Sequence, residues 1–296
     1  MRRPLSQFRL GIDGGGTRCR FALTRPGTRF EHVLGGANAH TDLANAISIL
    51  TDGLNALARE AGLSKDELRG VPTFAGLAGV MDDTAAKAVE TALPLDSVII
   101  EDDRRSAVAG ALGGDNGVVA SIGTGSFVVR QSNAGLRFLG GYGADLGDEA
   151  SGCWLGKSLL TRLLHCRDGL KEDSPLVRDT WQRFDGRVDQ VLKFAQSASP
   201  SEFAQFAPTV VEAAIAGDVN GQDLMQAGAA YIDDCLSALA WPGDEPVCLI
   251  GGLGKRYASF LPVRIARCLA EPRGSALDGA LYLADTISAQ NARAVS

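Results

Sequence analysis

Short apolar runs closed by glycine dominate the first third of the chain. Three strands in succession are predicted at 8–13, 18–24 and 29–34. The period then changes. Leu43, Ile47, Leu50, Leu54, Leu57 and Ala61 recur every three or four places, which draws one apolar stripe along a helix at 42–61. Thr41 or Asp42 can cap its start and Gly62 can end it. Strands follow near 71–76 and 97–101, separated by a helix at about 83–92, and a short helix over 104–112 runs into Gly113-Gly114.

After that glycine pair the pattern restarts. Strands fit 117–122, 126–131 and 136–139, and a glycine-rich stretch from Gly140 to Gly147 opens a helix at about 149–165. Residues 170–241 are mostly helical, and Leu224, Tyr231, Cys235 and Leu239 share one face of the last of these helices. Val247 to Ile250 is a short buried strand, and a final helix spans roughly 276–290. Each half thus begins with a three-stranded meander and continues with α/β units. The expected division is a domain over 1–113 and a second over 114–296 with a helical insertion, the last helix being free to return to the first.

Composition narrows the class. At 296 residues, 45% hydrophobic and 22% charged, the chain suits two ordinary soluble domains. Its net charge of -6 offers no basic face for nucleic acid. No apolar run reaches the ~18 residues of a membrane span, and the core of a signal peptide is missing, so a cytoplasmic protein without membrane partners is expected. The six cysteines are scattered without a C-x-x-C pair and three histidines make no ligand spacing, which argues against a zinc or iron–sulfur site. Oligomeric state is not legible; a homodimer is compatible with it.

Chemistry concentrates at two glycine-rich tips. Gly11-Ile-Asp-Gly-Gly-Gly-Thr17 and Ser121-Ile-Gly-Thr-Gly-Ser126 each join two strand-like runs. Glycine lets backbone N–H groups converge on an anion, and two facing tips would grip a polyphosphate. Gly14, Gly15, Gly16 and Thr17, with Gly123, Thr124 and Gly125, are therefore candidate phosphate-binding residues of a nucleotide site. Asp13 would repel phosphates unless a cation intervened, which points to Mg²⁺; capping a turn is its other use. Val98 to Asp103 is a strand emptying into acids before a helix, where a general base belongs, although Asp102 or Asp103 could equally cap that helix. Asp148 lies in a glycine-rich loop and can accept from sugar hydroxyls, or cap the helix after it. Asn38 could bind a diol or satisfy a turn. Gly251 and Gly252 follow a buried strand and open a helix, as backbone beside an adenosine would.

Taken in order, these segments resemble the sugar-kinase, Hsp70 and actin superfamily. Leu10 to Thr17 looks like its first phosphate motif, Ser121 to Ser126 its second, and Leu249 to Leu253 its adenosine motif. Within it the chain is similar to the N-acetylglucosamine kinase and BadF/BadG/BcrA/BcrD branch. The carriers are the triple-glycine tip, Gly35-Gly-Ala-Asn38, Asp103 seven residues before Gly110-Ala111, and Gly147-Asp-Glu-Ala-Ser-Gly152. The overall pattern is nearest to bacterial glucosamine kinases. The resemblance implies an α/β protein of two ribonuclease H-like domains, the actin-like ATPase fold, with an interdomain cleft. It implies ATP and Mg²⁺ as cofactors and a small-molecule sugar as substrate. Asp103 would be the catalytic base and a sugar contact, Asp13 the metal residue, Asn38 and Asp148 further sugar contacts, and Gly251 and Gly252 the adenine lining.

The expected reaction is transfer of the γ-phosphoryl of ATP to the C6 hydroxyl of glucosamine. Glu149 near a partly cationic 2-amino group would favour that sugar, and N-acetylglucosamine is the alternative. Some relatives are ATPase activators of acyl-CoA dehydratases, which need cysteines for a shared cluster; Phe127, Val128 and Val129 stand after the second tip instead. A nucleotide-sensing protein without chemistry would not need Asp13, Asp103 and Asp148 together.

Overall fold

The computed structural model describes residues 7–294 apart from 17, 40 and 81, with side chains described as far as 287. Two compact units emerge, one of residues 1–114 and 272–296, the other of 115–271.

The first unit is built on a five-stranded sheet of order β3-β2-β1-β4-β5. Strands β1 (Arg9–Gly14), β2 (Arg18–Arg25) and β3 (Thr28–Gly35) form the expected antiparallel meander. Strands β4 (Thr73–Leu77) and β5 (Val98–Glu101) add to β1 in parallel, so three strands end at the same edge. Helix α1 (Leu43–Ala61) covers one face; Asp42 accepts from Asn45 N–H at its start and Gly62 ends it in left-handed backbone. Gly53 has no side chain because the Phe21 ring occupies that space. Helix α2 (Lys65–Arg69) is a single capped turn, and α3 (Asp83–Ala92) leads back to β5. The other face is covered by α4 (Asp103–Leu112) and the chain's last helix, which cross so closely that a Cβ on Gly110 or Gly279 would collide with opposing backbone. Phe74, Ala109, Ala280 and Leu283 pack into one cluster there.

The second unit repeats the device with one strand fewer. Its sheet has the order β8-β7-β6-β9. Strands β6 (Gly117–Ile122), β7 (Ser126–Ser132) and β8 (Gly135–Gly140) form a meander, and β9 (Val247–Ile250) lies parallel to β6 as β4 does to β1. Between β8 and β9 run six helices: α5 (Gly152–Arg167), α6 (Pro175–Gln182), α7 (Val188–Ser197), α8 (Pro200–Ala204), α9 (Ala207–Ile215) and α10 (Val219–Ala238). Their apolar faces and the sheet form one continuous core. After β9 come a 3-10 turn (Gly254–Tyr257), the short α11 (Val263–Ala266) and, in the first unit, α12 (Ala276–Ala294).

Two boundaries differ from expectation for a local reason. The helix expected from about 149 starts at Gly152, because Asp148 and Ala150 take left-handed backbone (φ 59° and 64°) and Ser151 is the residue that caps it. The segment after Gly251-Gly252 is a 3-10 turn rather than a full helix. All six cysteines are free thiols. Among the described residues no helix is long and apolar enough to cross a membrane.

Candidate active site

In the first unit the acids gather where parallel strands end. Asp13 lies on β1 one residue before the tip and is buried. The hairpin register sets Arg20 of β2 opposite it, and the guanidinium stands 2.5 Å from Asp13 Oδ2. That oxygen is buried and has no aligned hydrogen bond, so the contact is an ion pair only. Burial raises the Asp13 carboxyl above its ordinary range while Arg20 pulls it back. Nothing in composition announced Arg20; the register of a tight hairpin, which fixes who faces Asp13, could have.

Asp102 and Asp103 divide the two uses that the sequence left open. Asp102 caps α4, its Oδ1 accepting from Arg104 N–H at 2.9 Å and from Arg104 Nε at 2.6 Å. Asp103, the first residue of the helix, is half-buried. Burial, then the charges of Asp102 and Asp13, push its carboxyl up to about 6. A carboxyl at that value is a base poised near neutral pH. Gly76, on the intervening strand β4, makes room for it: a Cβ there would collide with Ser106 and lie 3.2 Å from Asp103 Cα.

The first tip is closed by Gly15 N–H donating to Arg18 C=O at 2.9 Å, and Gly15 C=O accepts from Ala37 N–H at 3.0 Å. That bond brings the Asn38 loop to the tip. Asn38 Oδ1 accepts from Thr41 N–H at 3.2 Å, so its amide oxygen serves the turn. Gly14 needs its bareness, since a Cβ would lie 2.6 Å from Leu77, whereas Gly16 faces open space. Thr17 lies outside the described residues.

The second unit holds the other tip. Gly123 N–H donates to Gly125 C=O, and the carbonyls of Gly123 and Thr124 accept from Gly152 and Cys153 N–H at the start of α5. A Cβ on Gly125 would lie 2.6 Å from Asp148 Oδ2, so this glycine admits the carboxylate against the tip. Asp148 is buried; burial raises its carboxyl, and the Ser126 and Gly143 N–H groups that bond it oppose the rise. Glu149 is half-buried. Gly251 takes φ 83° and lies on the end of β6, where a Cβ would meet the Ile122 carbonyl.

A cavity of about 510 Å³ opens beside these glycines. It is lined by Gly123, Thr124 and Gly252, by Arg256 from the 3-10 turn, and by Pro208 and Glu212 of α9. The two glycine motifs thus border one cavity. The α9 wall was not legible: small and apolar residues in a helix signal packing, not which cavity they border.

Asp13 supplies a carboxylate at the first tip, the hard oxygen donor that Mg²⁺ takes, although the Arg20 guanidinium already faces its buried Oδ2. Mg²⁺ takes one or two carboxylates and completes its shell with phosphate and water oxygens. No cluster of three or more ligand side chains exists among the described residues, and none is needed for that ion.

A profile of the BadF/BadG/BcrA/BcrD ATPase family matches residues 10–266. The glucosamine kinase GspK of Vibrio cholerae is 29% identical over 280 residues, which span 94% of this chain and 95% of that protein. A Chromobacterium violaceum crystal structure, provisionally assigned as an N-acetylglucosamine kinase, superposes with a TM-score of 0.82 at 30% identity, covering 95% of this chain and all of that one. A ROK-family glucokinase from Streptomyces griseus, solved with glucose and AMPPNP, shares the fold at a TM-score of 0.53 and 17% identity, covering 96% of this chain and 99% of its own.

Proposed function

The chain belongs to the BadF/BadG/BcrA/BcrD ATPase family, and from that premise we propose that it is an ATP-dependent amino-sugar kinase acting on the C6 hydroxyl of glucosamine. The observation that carries the chemistry is Asp103. A carboxyl raised to about 6 at the end of a parallel strand, beside a second buried acid, is a base matched to an alcohol acceptor.

In this reading Asp103 accepts a hydrogen bond from the C6 hydroxyl and orients it. The new O6–phosphorus bond forms as the bond from the γ-phosphorus to the β,γ-bridging oxygen breaks, ADP departs, and the hydroxyl proton passes to Asp103. Asp102 keeps the base in register by capping α4 through Arg104. The tip at Gly123 to Gly125, with Gly251 and Gly252, holds the nucleotide, and the tip at Gly14 to Thr17 serves the phosphates. Asp13 would hold Mg²⁺, which when bound neutralises phosphate charge. Asn38 and Asp148 contact the sugar. Asp148 and Glu149 together form an acidic loop suited to a cationic 2-amino group. The likeness to GspK over nearly the whole chain supports the same choice. Free thiols at all six cysteines favour a reducing, cytoplasmic setting.

N-acetylglucosamine is the second reading, favoured by the Chromobacterium violaceum likeness. The test is a panel of glucosamine, N-acetylglucosamine, glucose and mannose with ATP and Mg²⁺, with the product's phosphate located by phosphorus–proton coupling. The expected outcome is the highest kcat/KM on glucosamine and a 6-phosphate. Preference for the N-acetyl sugar moves the assignment to the second reading, and no transfer to either amino sugar rejects both.

A further inference from the structure

The loop from Gly147 to Ser151 carries two residues in a backbone conformation that side chains disfavour. Asp148 and Ala150 both have left-handed φ, 59° and 64°, on either side of Glu149. Such a pair persists only if the surroundings impose it. Two of the tethers come from the second tip and the strand after it: Gly152 N–H donates to Gly123 C=O at 2.8 Å, and Ser126 Oγ donates to Glu149 C=O at 2.5 Å.

A third tether arrives from a different segment. The Tyr257 hydroxyl donates to Ala150 C=O at 2.8 Å. Tyr257 ends the 3-10 turn that follows Gly251-Gly252, and its side chain is fully buried in the core of the second unit. Its hydroxyl is accommodated by a missing side chain, since a Cβ on Gly228 of α10 would collide with it. A phenylalanine would fill the same core volume, so the hydroxyl's use is the bond it makes, and that bond fixes the second of the two disfavoured residues.

We propose that Tyr257 is a positioning residue that fastens the acidic sugar loop to the segment carrying Gly251 and Gly252, holding Asp148 in the orientation that receives the sugar. The proposal rests on the reading of Asp148 as a sugar contact given above. Losing one buried hydrogen bond that imposes a geometry weakens a ligand contact roughly tenfold.

The experiment compares the full-length enzyme with its Tyr257→Phe and Asp148→Asn variants, measuring KM for glucosamine and for ATP, kcat, and the thermal midpoint. For Tyr257→Phe the expected result is a glucosamine KM raised roughly tenfold with an ATP KM within about twofold of the parent, the pattern of a lost tether rather than a damaged core. An unchanged glucosamine KM in Tyr257→Phe, or equal rises for both substrates, overturns the proposal if Asp148→Asn raises the glucosamine KM. If Asp148→Asn leaves that KM unchanged, the reading of the sugar site falls first and the proposal with it. Should Tyr257→Phe not fold, Gly228→Ala displaces the same hydroxyl, and the same two outcomes decide.

Discussion

Replacing Asp103 by asparagine separates what this carboxyl does for the reaction from what it does to the fold. The substitution keeps shape and removes both the proposed base and the buried charge. Its folded-state carboxyl is raised from an ordinary 3.8 to about 6, which corresponds to about 3 kcal/mol. Solvent reaches part of the group, so about 2 kcal/mol is the working figure. The sign follows from the direction of the shift. The folded state holds this proton more tightly than the unfolded chain does. Stability from Asp103 is therefore present below about pH 4 and is lost as the pH rises to about 6. An asparagine at this position never ionises and escapes that loss. Asp103→Asn should thus melt higher than the parent by roughly 4 °C at about pH 8, with most of the difference gone at about pH 4.5. Turnover should fall roughly 10²–10⁴-fold with the sugar KM largely kept. In the parent, kcat should decline as the pH drops through about 6, where the proton occupies the base. Scanning calorimetry at the two pH values, beside a coupled ADP assay, gives both readouts. Near-normal turnover in Asp103→Asn would refute its role as base. A variant destabilised equally at both pH values would refute the account of its buried charge.

Three further outcomes follow from individual contacts. Gly251→Ala forces a Cβ against the Ile122 carbonyl at a left-handed φ of 83°, so ATP binding by calorimetry should weaken at least roughly tenfold while sugar binding persists. Gly156→Ala drives a Cβ into the Phe203 carbonyl where α5 meets α8, and urea unfolding should show a loss of about 2 kcal/mol. Arg20→Met removes the cation that lowers the Asp13 carboxyl; the acid limb of the kcat/KM profile should move to higher pH, and an unmoved limb would dissociate Asp13 from the reaction.

Much of the candidate site was legible because its parts are local. Glycine runs at strand ends mark places where backbone must turn tightly or approach a ligand, and both tips and Gly251-Gly252 were found that way. Asp103 was legible as an acid at a strand exit, but its division of labour with Asp102 was not. That depends on which carboxylate turns back to the Arg104 N–H and which is left among buried acids. Arg20 and Tyr257 are not legible in the sequence, because the partner that each meets is set by hairpin register for Arg20 and lies far along the chain for Tyr257.

The sequence by itself determined the alternation of strands and helices, the repeated meander, the extent of α1 and the two glycine tips. These follow from hydrophobic period and turn chemistry acting over a few residues. Only tertiary structure decided where α12 packs, which helix lines the cavity beside Gly123 and Gly252, why the acidic loop holds two left-handed residues, and how far burial lifts Asp103. Those outcomes depend on close approaches between distant segments, such as Gly110 against Ser275 and Gly125 against Asp148. Spacing along a chain does not encode which surfaces meet, and desolvation exists only once they have.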